Sequence, residues 1–245
     1  MASRLWQPLL YPTRLPIPPD ISSDDIQAFI DSRSSEYASV LEDGFATRAL
    51  GLGIDSGILL DVGTRVGLTA LKIIWRNENL VAMGLDISGP LVERARDTAA
   101  AWEVQSRAVF QVGDPRHMRF KGSYFDLIVS DCSLHRFDNV VAVLREIGRV
   151  LKPKGAILIR DYSRPNRFKM IGKIQQHTAR LGEAMRPQLE QAIQAAYTPD
   201  EIRQAVAESG LTGVLVDDSD PDYFILERRG ETDPSSWVSV RDQYR

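Results

Sequence analysis

The stretch that decides the fold is GILLDVGTRVG, at residues 57–67. Its first half is a short apolar run that predicts a buried strand, and a helix is predicted from Leu68 to Arg76. Glycines between a strand and a helix let the backbone turn sharply and approach a ligand closely. The N–H groups that open the helix can bind a carboxylate or a phosphate. Because many strand–helix turns carry two glycines, a plain turn is the alternative for this stretch alone.

Apolar strands and helices alternate along the chain that follows this turn. Further strands are predicted at 80–86, 108–112, 125–130 and 156–160, and helices at 91–102 and 140–151. Fully apolar strands that alternate with helices form a parallel sheet covered on both faces. The last two strands, 213–217 and 223–227, have a linker too short for a helical crossover, so they are predicted to be antiparallel neighbours. The pattern predicts an α/β fold of the Rossmann-like type.

The segments that flank the alternation suggest a division of the chain. We interpret 1–56 as an extended proline-rich arm followed by helices, and 57–229 as the main domain. A helical cap is inserted in that domain at about 162–197, and 230–245 is a loose polar tail. The apolar residues of the cap fit a lid, ordinary packing or a homodimer contact. Its basic residues, between Arg164 and Arg186, fit a solvated helix face better than an acidic-substrate site.

Composition narrows the class of protein. A net charge of −3 over 245 residues gives no basic footprint, which disfavours wholesale nucleic-acid binding. The single cysteine, Cys132, cannot form an internal disulfide, as is typical of cytoplasmic proteins. There is no apolar run of about 20 residues for membrane insertion and no secretory signal. The histidines have no metal-ligand spacing. We expect a cytoplasmic protein that binds a small molecule and no metal.

Polar residues stand where the predicted strands end, and these ends meet at one edge of a parallel sheet. Asp86 ends the second strand and can accept both hydroxyls of a ribose, or cap the next helix. Asp114, before Pro115, ends the third strand and can accept the exocyclic amine of adenine, or form a turn. Asp131 and His135 follow the fourth strand. We therefore expect a ligand site at this edge.

These motifs, taken in order, resemble the class I S-adenosylmethionine (SAM)-dependent methyltransferases over residues 57–160. The resemblance is to the bacterial small-molecule group that includes the ubiquinone and menaquinone methylases. It implies a seven-stranded, mostly parallel sheet with an antiparallel last strand, SAM as cofactor, and methyl transfer to a small-molecule acceptor. It argues against a nicotinamide-dependent oxidoreductase. The cofactor-binding residues implied by the resemblance are Gly63, Arg65, Gly67, Asp86, Ile87, Asp114, Pro115 and Asp131.

The resemblance also implies a role for each of these positions. Gly63 and Gly67 line the methionine end of SAM, and Asp131 lies near it. Asp86 holds the ribose, with Ile87 near the adenine. Asp114 and Pro115 flank the adenine.

Arg65 departs from the family pattern, because it stands where the first motif usually has its middle glycine. Its side chain swings out or binds the SAM carboxylate as a charge-assisted pair, or else it fills the pocket and weakens or abolishes binding. The second outcome leads to the alternative function, a non-catalytic protein with the methyltransferase fold that binds a nucleoside or a protein partner.

His135 is the candidate catalytic base, because histidine titrates near neutral pH. The alternative is a surface or capping histidine, and Asp131, Asp161 and Tyr162 are weaker candidates. The methyl acceptor and its accepting atom stay open.

Overall fold

A computed structural model describes residues 10–15, 22–33 and 35–231 of the chain. Most of the predicted N-terminal arm, at 1–9 and 16–21, and the predicted tail from 232 onward lie outside the described residues. Within the described part of the arm, the Arg14 guanidinium donates to the carbonyl oxygens of His135 and Phe137, at 2.7 and 2.8 Å. These bonds join the arm to the edge of the sheet where the site is expected.

The described chain forms one seven-stranded sheet with the order β3-β2-β1-β4-β5-β7-β6. The strands are β1 (Gly57–Val62), β2 (Leu80–Asp86), β3 (Ala108–Val112), β4 (Phe125–Asp131), β5 (Leu151–Tyr162), β6 (Leu215–Asp217) and β7 (Tyr223–Arg228). Strands β1 to β5 pair in parallel, and β7 runs antiparallel to both β5 and β6. This confirms the predicted fold class and the predicted antiparallel strand pair at the end.

The helices are α1 (Ser23–Ser32), α2 (Glu36–Leu50), α3 (Leu68–Arg76), α4 (Gly89–Ala101), α5 (Val140–Val150), α6 (Met170–Leu181), α7 (Arg186–Ala195) and α8 (Pro199–Ser209). Short 3-10 turns follow β4 at Leu134–Arg136 and α6 at Glu183–Met185. Capping explains two of the starts: Ser22 with Asp25, and Thr198 with Glu201, each form a capping box.

Both faces of the sheet are covered, which is why the strands are apolar without alternation. Side chains point to opposite faces along a strand, so Leu59 packs beneath α2 and α3 while Leu60 packs beneath α5 and α8. Both leucines are fully buried. Helices α6 and α7 lie between β5 and α8, and α7 contacts the 3-10 turn that follows β4. In the described residues, no helix combines the length and the apolar character that crossing a bilayer requires.

One strand differs from its prediction in length. Strand β5 begins at Leu151, five positions before the predicted start at 156, and Leu151 pairs with Phe125 of β4. The register shifts between Phe125 and Leu127, so the irregularity accommodates Pro153 at the point where sequence rules would end a strand.

Candidate functional site

The expected edge of the sheet holds two neighbouring cavities. The first, which we call the main cleft, encloses about 710 Å³ including the solvent at its mouth, and is lined from α1, from the ends of β4 and β5, and from α7. The second, which we call the inner pocket, encloses about 300 Å³ counted in the same way. The inner pocket is lined by Glu42, Asp61, residues 63–66, Leu68, Thr69 and Asp131. Phe29, Arg33 and Arg65 line both cavities and therefore stand between them.

The loop after β1 turns sharply, as its glycines predict. Gly63 has a φ of 72° and Gly67 a φ of 81°, both in the left-handed region. A Cβ on Gly63 would lie 2.5 Å from the Ser133 Cβ, and one on Gly67 would lie 2.9 Å from the Phe110 ring. The close approach that requires glycine is therefore to protein atoms of β3 and of the turn after β4.

Arg65 adopts a left-handed backbone, with a φ of 51°. A non-glycine residue in that region costs roughly 1–2 kcal/mol, which a glycine would avoid. The Arg65 backbone N–H donates to the Asp86 Oδ2 at 2.9 Å, and its guanidinium carbon lies 4.1 Å from the centroid of the Phe29 ring. The side chain has thus turned toward α1 and forms part of the boundary between the two cavities.

Asp86 lies at the end of β2 and holds the turn that follows. It accepts from the Arg65 N–H and from the Ser88 N–H at 3.0 Å, and it is only 3% exposed. An ionised carboxylate oxygen can accept a second hydrogen bond, so this role leaves acceptor capacity for a ligand. Ile87 and Val112, at the ends of β2 and β3, are 38% and 56% exposed and give this edge an apolar surface.

Asp114 lies at the end of β3, as expected, but its carboxylate already has a partner. Arg116 donates to it from Nε at 3.0 Å and from Nη2 at 2.8 Å. This guanidinium holds the pKa of Asp114 below its usual value. Pro115, between the two paired residues in sequence, is buried. A ligand would therefore share the Asp114 carboxylate with Arg116, an interaction that the turn sequence did not reveal.

Asp131 likewise has a partner that the sequence did not predict. Arg160, at the same level on β5, donates to both of its carboxylate oxygens, at 2.9 and 2.8 Å. The guanidinium carbon of Arg160 lies near the rings of Phe45 and Tyr223, at 5.1 and 5.4 Å. The ion pair closes one side of the inner pocket.

Asp61 is a site residue that sequence reasoning missed. It is the penultimate residue of β1 and lines the inner pocket, is 1% exposed, and accepts a 2.8 Å hydrogen bond from the Thr64 hydroxyl. The Ala70 backbone N–H at the start of α3 also donates to it. Burial, aided by the charges of Asp131 and Asp86, raises the pKa of Asp61 to about 7. The sequence did offer one signal for this residue, because Asp61 is an acid within an otherwise apolar strand.

His135 is buried beside the main cleft and is held by Asp161. Its Nδ1 lies 2.6 Å from the Asp161 Oδ1, and its backbone N–H donates to Oδ2 at 2.9 Å. The Tyr162 N–H gives Asp161 a further hydrogen bond at 2.7 Å. An ionised carboxylate can only accept, so Nδ1 carries the proton and Nε2 is left as the free acceptor. The surface-histidine alternative is wrong, because His135 is 4% exposed.

The basic residues of the cap are less solvated than expected. Arg164 is buried and pairs with Glu201 at 2.6 Å, while Lys173 and Arg180 both contact Asp222. His177 is 1% exposed and lies 4.0 Å from the same carboxylate. Burial, together with the charges of Arg180 and Lys173, lowers the pKa of His177 to about 4. The interpretation as a solvated helix face is wrong for Arg164 and Lys173, whereas Arg180 is exposed as that interpretation expects. Lys173, His177 and Arg180 join α6 to the residue that precedes β7.

Comparisons with known proteins bear on this site. The family described as methyltransferase domain matches residues 55–210. A 27-O-demethylrifamycin SV methyltransferase of Amycolatopsis mediterranei is 34% identical over 104 residues, 42% of this chain and 38% of that relative. A ubiquinone/menaquinone biosynthesis C-methyltransferase of Geotalea daltonii is 30% identical over 158 residues, 58% of this chain and 65% of that relative. The chain thus spans less than two thirds of either relative.

A solved structure extends the comparison beyond the matched segments. That of a SAM-dependent methyltransferase from Aquifex aeolicus has a TM-score of 0.59 to this chain and 16% identity. The superposed region covers 85% of this chain and 98% of the Aquifex aeolicus chain. At that identity the likeness concerns the fold alone.

Proposed function

The chain belongs to the class I SAM-dependent methyltransferase family, and from this premise we propose that it moves a methyl group from SAM to a small-molecule acceptor, with His135 taking the acceptor's proton. The observation that carries the proposal is the His135–Asp161 pair at the main cleft, next to the inner pocket. A buried histidine that is oriented by a carboxylate is the usual arrangement of a general base.

The inner pocket fits the amino-acid end of SAM, which carries one positive and one negative charge. Arg33 and Arg65 supply cations to this pocket, and Glu42, Asp61 and Asp131 supply acids. The Arg33 guanidinium pairs with Glu42 through Nη1 at 2.9 Å, while its Nε is buried and has no hydrogen-bond partner among the described residues, so one donor is free for a carboxylate. We assign the methionine end of the cofactor to this pocket, with Arg65 at its carboxylate and Gly63 and Gly67 shaping the loop beneath it.

The other end of the cofactor is assigned to the edge formed by β2 and β3. Asp86 offers its remaining acceptor positions to the ribose hydroxyls. Ile87 provides exposed apolar surface for the adenine, and Asp114 with Pro115 bounds it on the β3 side. The hydrogen bonds from Arg116 hold the Asp114 carboxylate in one orientation, and we propose that the exocyclic amine of adenine donates to it.

The chemistry requires little of the protein beyond positioning and proton removal. When bound, SAM supplies a methyl group on a positively charged sulfur. The acceptor's O–H or N–H would donate to His135 Nε2 and leave its proton there as the acceptor takes the methyl group that SAM would supply. Asp161 stabilises the resulting imidazolium through Nδ1–H. Side chains of α1 and α7 form the walls of the cleft in which this transfer takes place.

Calorimetric titration with SAM and with S-adenosylhomocysteine tests the cofactor assignment. We expect the native protein to bind both, Asp86→Asn to bind them at least about tenfold more weakly, and the exposed control Asp97→Asn to match the native protein. Failure of the native chain to bind, with binding restored in Arg65→Gly, would instead favour the non-catalytic alternative.

Incubation with methyl-tritiated SAM and a cell metabolite extract tests catalysis. Tritium should move to a small molecule with native protein and not with His135→Asn. No transfer by a native protein that binds SAM would contradict the proposal.

The proposal also covers location, partners and domain division. We propose a cytoplasmic enzyme that acts on a small molecule, since a net charge of −3 offers no general attraction to nucleic acid. The cap at about 162–197 is proposed as an insertion that helps to form the cleft, because Met185 and Leu189 line it. Light scattering of the purified protein decides between monomer and homodimer.

A further inference from the structure

Arg136 is a cation of the main cleft that the proposed mechanism does not use. It follows His135 in the 3-10 turn after β4, and its side chain lines the cleft. Its guanidinium has no hydrogen-bond or ion-pair partner among the residues that the structure describes. Burial and the charge of Arg65 lower its pKa, against a smaller opposing effect from Asp86 and Asp25. A partly buried charge without a partner is costly unless a ligand supplies the opposite charge.

The acid of the same cleft acts on Arg136 through its charge only, without a direct ion pair among the described residues. Asp25 lines the cleft, and its carboxylate accepts hydrogen bonds from the Ser22 hydroxyl and from the Gln188 side-chain amide. Three guanidinium groups, those of Arg33, Arg65 and Arg136, line the cleft beside this one carboxylate. Arg33 pairs with Glu42 and Arg65 is assigned to the cofactor, so Arg136 is the cation left for the acceptor.

Two acceptor atoms complete the cleft. The Gln188 Oε1 is buried and has no hydrogen-bond partner within the described chain. The His135 Nε2 is the nitrogen left over by the bond of Nδ1 to Asp161, and none of the described residues bonds to it. Between these polar groups the walls are apolar, formed by side chains such as Phe29, Met185 and Leu189. A ligand that satisfies every wall needs an anionic group, a hydroxyl donor and an apolar body.

We propose that the methyl acceptor is an amphipathic hydroxy acid whose carboxylate or phosphate binds Arg136 while its hydroxyl faces His135. This inference rests on the proposed function, and it adds the chemical class of the acceptor. A carboxylate can receive two parallel N–H bonds from one guanidinium, which would fix the hydroxyl relative to Nε2. Arg136 acts in this scheme as the residue that selects the substrate.

A matched pair of probes tests the inference. 4-Hydroxybenzoate and the neutral 4-hydroxybenzamide have nearly the same shape, and each is titrated by calorimetry into protein with and without saturating S-adenosylhomocysteine. 4-Hydroxyphenyl phosphate distinguishes a preference for phosphate from one for carboxylate. We expect the native protein to bind an anionic probe at least about tenfold more tightly than the amide. Arg136→Gln should abolish that preference, and Arg136→Lys should retain part of it.

The control variant is Arg145→Gln, which removes an equal charge from an exposed position on α5. It should keep the full preference for the anions. Equal affinity for acid and amide, no binding of any probe, or loss of the preference in Arg145→Gln would each overturn the inference. Binding of S-adenosylhomocysteine is recorded in the same titrations. Its absence contradicts the proposed function, whereas its presence without a preference for anions contradicts only the acceptor class.

Discussion

Replacing Asp61 with Asn probes the electrostatics of the inner pocket through stability alone. Burial raises the pKa of Asp61 to about 7, compared with about 3.9 in an unfolded chain. The folded state therefore holds this proton more tightly than the unfolded state does. It follows that the contribution of this proton to the unfolding free energy is fully present below about pH 4 and is lost as the pH rises through 7.

The size of the effect follows from that pKa difference. At pH 8 the buried charge costs about 4 kcal/mol, and at pH 5 it costs about 1.5 kcal/mol. Between pH 8 and pH 5 the native protein should thus gain about 2.5 kcal/mol of unfolding free energy relative to Asp61→Asn. Asparagine has nearly the same shape and keeps an acceptor for Thr64 or Ala70, so the comparison isolates the titration.

Urea unfolding followed by circular dichroism at pH 5, 6, 7 and 8 measures this difference. Equal urea slopes for the two proteins are required for the comparison to hold. The exposed Asp97→Asn should track the native protein at every pH. If Asp61→Asn and the native protein show the same pH dependence, the Asp61 charge is not buried as described, and the reasoning is refuted.

Three further changes have defined outcomes. His135→Asn should lower kcat for methyl transfer about 10²–10⁴-fold while leaving SAM affinity unchanged, and Asp161→Asn should lower it less; an unchanged kcat would remove His135 from the mechanism. His177→Phe should lose less stability in acid than the native protein does. Burial lowers the pKa of His177 to about 4, so a change from pH 7.5 to pH 4.5 lowers the unfolding free energy of the native protein by about 2.5 kcal/mol, as urea unfolding at those two pH values will show. Arg65→Gly should be about 1 kcal/mol more stable than Arg65→Ala in urea, because the backbone at φ 51° favours glycine; equal stability would contradict the strain.

The regular part of the fold could be read from the sequence, because its strands are buried on both faces. Strands β2 and β3 begin and end where predicted, since polar residues or turns bound each apolar run. Strand β5 could not be delimited in this way. Its early start depends on the pairing of Leu151 with Phe125, a contact between distant parts of the chain that overrides the local effect of Pro153.

The site was predictable in position but not in its pairings. The sequence placed His135 after β4 and Asp161 at the end of β5, yet no spacing rule joins them, because their contact depends on β4 and β5 being neighbours. The same holds for Asp131 with Arg160, which face each other across those two strands. Asp61 was missed because an acid within an apolar strand shows its perturbed pKa only once its burial is known.

The stack of Arg65 on Phe29 has a consequence for protein engineering. Phe29 and Arg33 come from α1, which precedes residue 55, where the match to the family begins. The loop that shapes the inner pocket and one wall of the main cleft are therefore encoded in separate stretches of the gene. Exchanging the segment before β1 between related chains should alter which molecules enter the main cleft, while the β-sheet stays unchanged. Directed evolution of selectivity can therefore begin with that exchange.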